Sequence, residues 1–98
     1  MGKRVIWKKR PLRQVRAIEN YLRVEFGGKS VDDFLAKMER KVEQVCKYPD
    51  TGHPTRFKTV RRVRIGKHNS FYYRVSGSKL IVLFIWDGRM EPGKNPYG

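Results

Sequence analysis

The segment from Phe71 to Trp86 constrains the fold of this chain more than any other, because it predicts two adjacent β-strands. Its first part is rich in aromatic and β-branched residues, which fit the pleated surface of a sheet. The Ser-Gly-Ser sequence at 76–78 allows a tight reversal, since glycine adopts a positive φ without strain. The seven residues Leu80–Trp86 are all apolar, which predicts a central strand covered on both faces.

The rest of the chain supplies the elements that such a strand needs around it. Two further strands are predicted, over Lys3–Trp7 and over Phe57–Ile65. Apolar residues recur every three or four positions from Pro11 to Phe26 and again from Val31 to Val45. This spacing predicts two amphipathic helices, each with one apolar stripe.

Glycine and serine mark the boundary between the two predicted helices. Gly27 and Gly28 are expected to end the first helix. Ser30 is expected to cap the second helix, which Asp32 and Asp33 favour electrostatically at its positive end.

The predicted order is β-α-α-β-β-β, in one α+β domain that spans residues 1–98. We expect an antiparallel sheet, with the three C-terminal strands as a meander and the first strand in the same sheet. The two helices are expected to form a hairpin packed on one face of that sheet. Residues 93–98 are expected to be a flexible tail.

Positive charge is the property of the composition that bears most directly on function. The chain has 23 basic and 9 acidic residues, a net charge of +14. This excess indicates a polyanionic or strongly acidic partner, although a solvated sheet face is the alternative. No acidic residue lies between Asp50 and Asp87. The candidate nucleic-acid contacts are Lys58, Arg61, Lys67 and Arg74, with Tyr97 for base stacking.

The sequence also argues against several classes of function. With a single cysteine, Cys46, and two histidines in no ligand-like spacing, we expect neither a metal site nor a cofactor. The basic N-terminus lacks the apolar region of a secretory signal. The apolar run at 80–86 is far shorter than the roughly 20 residues that cross a bilayer. We therefore expect a cytoplasmic protein with no membrane partner.

Three features together resemble the RelE/ParE superfamily of bacterial type II toxins. They are the β-α-α-β-β-β order, the loop YPDTG at 48–52, and the ending FYYRV…KLIVLFIWDGR at 71–89. The resemblance runs from Val5 to about Pro92. It implies a small basic toxin that is neutralised by a co-expressed, acidic antitoxin protein.

Members of this superfamily act in two ways, and the resemblance extends to both. RelE-like toxins cut mRNA at the ribosome, with basic residues on one strand and an arginine near the C-terminus. Arg62 and Arg64 resemble that strand pair, and Arg89 resembles the C-terminal arginine. Ser70 stands near the position of a further family arginine, and Tyr97 is two residues late for the family tyrosine.

The first hypothesis is therefore a toxin that acts by ribosome-dependent mRNA cleavage. Arg62, Arg64 and Arg89 would stabilise the phosphorane charge, and His68 is a candidate base. A ParE-like toxin that inhibits DNA gyrase without catalysis is the alternative, because IWDGRMEP at 85–92 resembles the ends of such toxins. A non-toxic nucleic-acid-binding module of the same fold is the third hypothesis.

Overall fold

Two helices and five strands make up the fold in the computed structural model, which describes residues 2–89. The tail expected over 93–98 and the candidate residue Tyr97 lie outside the described residues. The elements are β1 (Arg4–Trp7), α1 (Lys9–Phe26), α2 (Gly28–Lys47), β2 (His53–Pro54), β3 (Arg61–Arg64), β4 (Asn69–Ser76) and β5 (Lys79–Asp87). The α+β class and the helical pair are thus confirmed.

The apolar strand β5 lies inside the sheet, with a neighbour on each side as predicted. The strand order is β1-β5-β4-β3-β2. β4 pairs antiparallel with β5 across a turn at Gly77, whose φ is 60°. Beyond the end of β1, α1 covers the edge of β5, where the Ile85 N–H donates to Gln14 Oε1 at 2.8 Å.

The first strand differs from the expectation of a wholly antiparallel sheet. β1 joins the sheet as predicted, but it runs parallel to β5, with Arg4 opposite Lys79 and Trp7 opposite Val82. Parallel neighbours need a long crossover, and the helical pair lies within the connection between these two strands. The sheet is therefore mixed.

The strand predicted over Phe57–Ile65 is shorter in the structure, and a two-residue strand precedes it. Thr55 explains the difference, because its Oγ1 donates to Val60 O at 2.9 Å and accepts from Phe57 N–H at 3.2 Å. These bonds close a turn over residues 55–60, so that β3 begins only at Arg61. β2 is the strand that the sequence analysis missed.

The boundary between the helices is a single residue, Gly27, with a φ of 94°. Its N–H donates to Leu22 O and Arg23 O, which ends α1 as expected. The predicted cap at Ser30 is wrong, because α2 already begins at Gly28. Ser30 lies in the first turn, and its Oγ donates to Phe26 O at 3.4 Å instead.

The helices cover one face of the sheet and form the main core with it. The main core includes Val42 and Val45 of α2, Val63 of β3, and Phe71 and Tyr73 of β4. A smaller cluster, Val60, Tyr72 and Phe84, is buried separately from it. Neighbours along a strand point to opposite faces, so this cluster marks the face turned away from the helices.

Candidate functional site

The four residues predicted to act in catalysis lie at three places in the fold. Arg62 and Arg64 belong to β3, His68 lies in the turn before β4, and Arg89 follows β5. In the pairing of β3 with β4, Arg62 lies opposite Tyr72 and Arg64 lies opposite Ser70. Directly opposed residues share a face, so both arginine side chains lie on the face turned away from the helices.

Arg62 and Arg64 also line a cavity at the outer edge of β3. This cavity of about 250 Å³ lies between β3 and α2, whose Lys41 and Gln44 form the other wall. His53 of β2 borders it as well, and it pairs with Arg62 in the sheet. Residues of β2, β3 and α2 thus meet at this cavity, with Lys41 on its α2 side.

Arg89 makes a dense set of contacts with its own neighbours. Its Nη2 lies 3.0 Å from Asp87 Oδ2, and its backbone N–H donates to Asp87 Oδ1 at 2.8 Å. The Asp87 side chain is fully buried, and it also accepts a hydrogen bond from Asn69 Nδ2. The Arg89 guanidinium lies over the rings of Tyr21 and Phe26, 5.8 and 5.2 Å from their centroids. Arg89 therefore joins the end of β5 to the end of α1.

His68 is exposed and lies near Arg89 rather than near the arginines of β3. Its carbonyl accepts the Gly88 N–H at 3.0 Å, which holds the turn before β4 beside the end of β5. His68, Lys67 and Arg89 line a cavity of about 220 Å³. The cavity that borders Arg62 and Arg64 includes neither His68 nor Arg89. The structure therefore brings the predicted catalytic residues together in two pairs.

The candidate nucleic-acid contacts have different environments. Lys58 and Lys67 are exposed, and Arg74 is half-buried on β4. Arg61 is bound to the loop before β2, since its Nη1 donates to Gly52 O at 2.7 Å and lies 3.4 Å from Asp50 O. The Arg61 side chain thus serves the packing of this loop.

Tyr73 completes the attachment of the same loop. Its hydroxyl donates to Pro49 O at 2.6 Å and accepts the Gly52 N–H at 3.1 Å. Burial raises the pKa of Tyr73, while the Gly52 N–H and the charge of Arg61 act to lower it. The YPDTG segment is therefore held against β4, and this contact places β2 beside β3.

A basic row on α2, which the sequence analysis did not single out, borders a further cavity. Lys37, Arg40, Lys41 and Gln44 line a third cavity of about 380 Å³ against Ile65. This cavity shares Lys37 and Ile65 with the one beside His68, and it shares Lys41 and Gln44 with the one beside Arg64. The signal was present in the sequence, because residues three and four apart share a helix face.

The three adjoining cavities form one groove along the seam between α2 and β3. We call it the α2–β3 groove and define it by Lys37, Arg40, Lys41, Gln44, Arg64 and Ile65. Buried apolar side chains, among them Ile65 and Val63, lie along it, and cationic groups border it. Asp33 also borders it at the end beside His68, so the charge along the groove is mostly but not wholly positive.

Two other kinds of site find no support in the part of the chain that the structure describes. Residues 2–89 contain no group of three or more His, Cys, Asp or Glu side chains that could hold a metal ion. Neither helix within that range has the length and apolar character needed to cross a membrane.

Comparison with known proteins identifies relatives of this fold. Residues 5–92 match the model of the ParE toxin of type II toxin–antitoxin systems, parDE. A chromosomal ParDE toxin–antitoxin system from P. aeruginosa has a similar structure, with a TM-score of 0.76 and 18% identity, covering 88% of this chain and 96% of that one. A YoeB/ParE toxin from Agrobacterium tumefaciens gives a TM-score of 0.65 and 17% identity, covering 86% and 96%. No curated protein sequence shows significant similarity to the chain.

Proposed function

The chain belongs to the ParE toxin family of type II toxin–antitoxin systems, and from this premise we propose that it inhibits growth by binding its target without cleaving RNA. The family also implies a cognate antitoxin as its partner. The expected resemblance to the RelE/ParE superfamily is thereby confirmed. The proposal concerns what the free toxin does to its target.

The observation that carries the proposal is the state of Arg89. RNA cleavage requires cations that are free to stabilise the charge developing on the phosphorane. The charge of Arg89 is already balanced by the buried carboxylate of Asp87, and its guanidinium lies against two aromatic rings. A group held in this way is well suited to fixing the end of β5 and poorly suited to meeting a phosphate.

The environment of Ser70 supports the same conclusion. Ser70 stands near the position where RelE-like toxins carry a catalytic arginine, and it is buried opposite Arg64 and Trp86 in the sheet. A serine hydroxyl provides a hydrogen bond but no positive charge. Arg62 and Arg64 therefore lack the cationic neighbour that the RelE-like mechanism uses.

DNA gyrase is the target that we propose. The support is the match of the family model to residues 5–92 and the resemblance of the sequence at 85–92 to the ends of ParE-like toxins. Binding requires only a complementary surface, and the net charge of +14 favours an acidic surface or a complex that contains DNA.

Two assays on the same purified toxin test this proposal. Supercoiling by gyrase should fall as toxin is added and recover when the cognate antitoxin follows. Primer extension on an mRNA under translation should show no toxin-dependent cleavage. If supercoiling is unaffected at a large molar excess of toxin, gyrase is not the target, and cleavage at defined codons would contradict the binding mechanism itself.

RNA cleavage remains the second candidate function, because one observation favours it. Lys41, His53, Arg62 and Arg64 all border one cavity at the edge of β3. This mechanism predicts that an Arg62→Ala/Arg64→Ala variant loses toxicity. If the toxin instead binds its target without catalysis, growth arrest should persist in this variant. Arg13→Ala/Arg16→Ala on the exposed side of α1 is the matched control.

A further inference from the structure

We propose that the toxin binds gyrase through the far face of its sheet, with Trp86 as the anchor and an acidic protein surface of gyrase as the partner. The far face is the one turned away from the helices, formed around Tyr72 of β4 and Phe84 and Trp86 of β5. The inference rests on the proposed function and names the surface that performs it. Three properties of this face carry it: a half-buried tryptophan, an apolar surround and charge of one sign.

Trp86 lies on the far face, near the end of β5. Phe84 belongs to the buried cluster of this face, and residues two apart on a strand share a face. The two rings are stacked, with their centroids 6.3 Å apart and an angle of 21° between their planes. Phe84 is buried but Trp86 is only half-buried. Part of the Trp86 ring therefore remains accessible to a partner.

The indole nitrogen of Trp86 favours a partner that offers an oxygen. Within residues 2–89 the Trp86 side-chain N–H donates to no other group. Indole is a donor with no acceptor, so a carboxylate or a carbonyl oxygen of the partner would satisfy it. Tryptophan and arginine are the residue types that most often dominate the binding energy of protein interfaces.

Apolar groups and one arginine surround Trp86. Leu83 is half-buried and packs, together with Trp86, against the buried cluster that contains Phe84. Arg10 of α1 adjoins them, because its guanidinium lies over the Phe84 ring, 4.5 Å from the centroid. An apolar centre with tryptophan and arginine is typical of a protein–protein interface, whereas nucleic-acid interfaces are more polar and more strongly charged.

The burial of the neighbouring rings argues against a nucleic acid as the occupant. Single strands bind by stacking successive bases on accessible aromatic side chains. Tyr72 and Phe84 are 1% and 2% exposed, so these two rings offer no stacking surface. One accessible anchor in an apolar surround is instead the arrangement of a protein hot spot.

The charge of the far face indicates that the protein surface it meets is acidic. The strands of the described sheet carry no acidic residue except Asp87, whose buried carboxylate is paired with Arg89. Within residues 2–89, no carboxylate lies within 4.0 Å of the Arg10 guanidinium. Cations without a counterion at a binding surface favour an acidic partner and disfavour a basic one.

Arg62 and Arg64 lie at the rim of this surface. β4 separates β3 from β5, so the backbone of Arg64 is about 10 Å from that of Trp86 across the sheet. Charges at the rim of an interface change the rate of association more than the affinity. The Arg62→Ala/Arg64→Ala variant should therefore still inhibit its target, in agreement with the binding mechanism.

Inhibition of supercoiling by variants of the toxin tests the anchor, with circular dichroism to verify that each variant is folded. Trp86→Ala should raise the concentration for half-inhibition of gyrase at least about tenfold, and Trp86→Phe should recover part of the loss. Tyr48→Ala is the matched control, because this exposed ring lies at the end of α2, and it should change the value less than about twofold. Inhibition by Trp86→Ala at the wild-type concentration would overturn the proposal.

Charge reversal at Arg10 tests the same face without shortening a strand side chain. Arg10→Glu should weaken binding to gyrase in the absence of DNA at least about fivefold, whereas Lys29→Glu, at an exposed position of α2, should change it less than about twofold. Binding to a DNA fragment alone is measured in parallel. If Trp86→Ala and Arg10→Glu weaken only the binding to DNA, the occupant is a nucleic acid and the proposal is wrong.

The wild-type toxin separates a wrong surface from a wrong target. If the wild type inhibits gyrase and both far-face variants inhibit it equally well, the target stands and the assignment of the far face is wrong. If the wild type does not inhibit gyrase, the proposed target is wrong and the inference fails with it.

Discussion

Asp87 is the residue on which the most contacts of the site depend. Its buried carboxylate accepts hydrogen bonds from Asn69 and from both the backbone and the guanidinium of Arg89. A buried carboxylate is tolerated only when it is paired and hydrogen-bonded. The Asp87 carboxylate meets this condition through the hydrogen bond that it accepts from Asn69 and its ion pair with Arg89.

Removal of this carboxylate should be costly. Asp87→Ala leaves Asn69, which is 8% exposed, without its partner and Arg89 without its counterion. We expect the free energy of unfolding to fall by about 2–4 kcal/mol, as measured by urea denaturation. Asp50→Ala is the matched control, because that ion pair spans 3.9 Å with Asp50 96% exposed, and it should cost less than about 0.5 kcal/mol. Equal losses in the two variants would be inconsistent with this role for Asp87.

The Tyr73 hydroxyl bridges the loop before β2 to the sheet through Pro49 and Gly52. Tyr73→Phe removes both hydrogen bonds and leaves the Gly52 N–H without an acceptor in a buried position. The expected loss is about 1–3 kcal/mol of unfolding free energy. Tyr48→Phe, at a side chain that is 66% exposed, provides the comparison and should have no measurable effect.

The same hydroxyl predicts a dependence of stability on pH. Burial raises the pKa of Tyr73 in the folded state above its ordinary value of 10.0, so the folded protein holds this proton more tightly than the unfolded chain. The stabilisation is complete below the unfolded pKa and is lost as the pH rises through the folded pKa. As the pH rises above about 10, the wild type should lose more stability than Tyr73→Phe. Parallel curves for the two proteins would contradict the assignment.

At the scale of elements, the helices and strands that depend on hydrophobic pattern could mostly be predicted from the sequence. The β4–β5 hairpin and the two helices follow from the spacing of apolar residues. The end of α1 at Gly27 follows from the freedom of glycine to adopt a positive φ. Short-range polar contacts account for the errors: the Thr55 hydroxyl closes a turn where a strand was expected. The parallel pairing of β1 depends on the path of the whole chain, and no local pattern of Lys3–Trp7 specifies it.

The position of β2 depends on a close approach of the backbone at Gly52 to the side chains of Tyr73 and Arg61. A Cβ at Gly52 would lie 2.5 Å from the Tyr73 hydroxyl and 2.9 Å from Arg61 Cβ. Gly52→Ala should therefore displace the loop and cost about 1–3 kcal/mol in unfolding free energy. Gly28→Ala should not destabilise the protein, because a Cβ there meets nothing within 4 Å at the start of α2. We expect that variant to be neutral or more stable by up to about 1 kcal/mol.

At the scale of the whole molecule, charge was readable from the sequence and its arrangement was not. A net charge of +14 can be read from the sequence, but only the fold brings Lys37, Lys41 and Arg64 to adjoining cavities. The sequence likewise names Arg62, Arg64, His68 and Arg89 without indicating that they form two separate pairs. Placement of this kind depends on long-range pairing of elements, about which local periodicity carries no information.

The binding mechanism is tested most directly by controlled expression of the chain alone in a bacterium, with pulse labelling of DNA and protein synthesis. We predict that DNA synthesis falls first, that the cells form filaments, and that the Arg62→Ala/Arg64→Ala variant acts like the wild type. Arrest of protein synthesis before DNA synthesis, with cleaved mRNA and no arrest by the variant, would contradict the mechanism and establish Arg62 and Arg64 as parts of a nuclease.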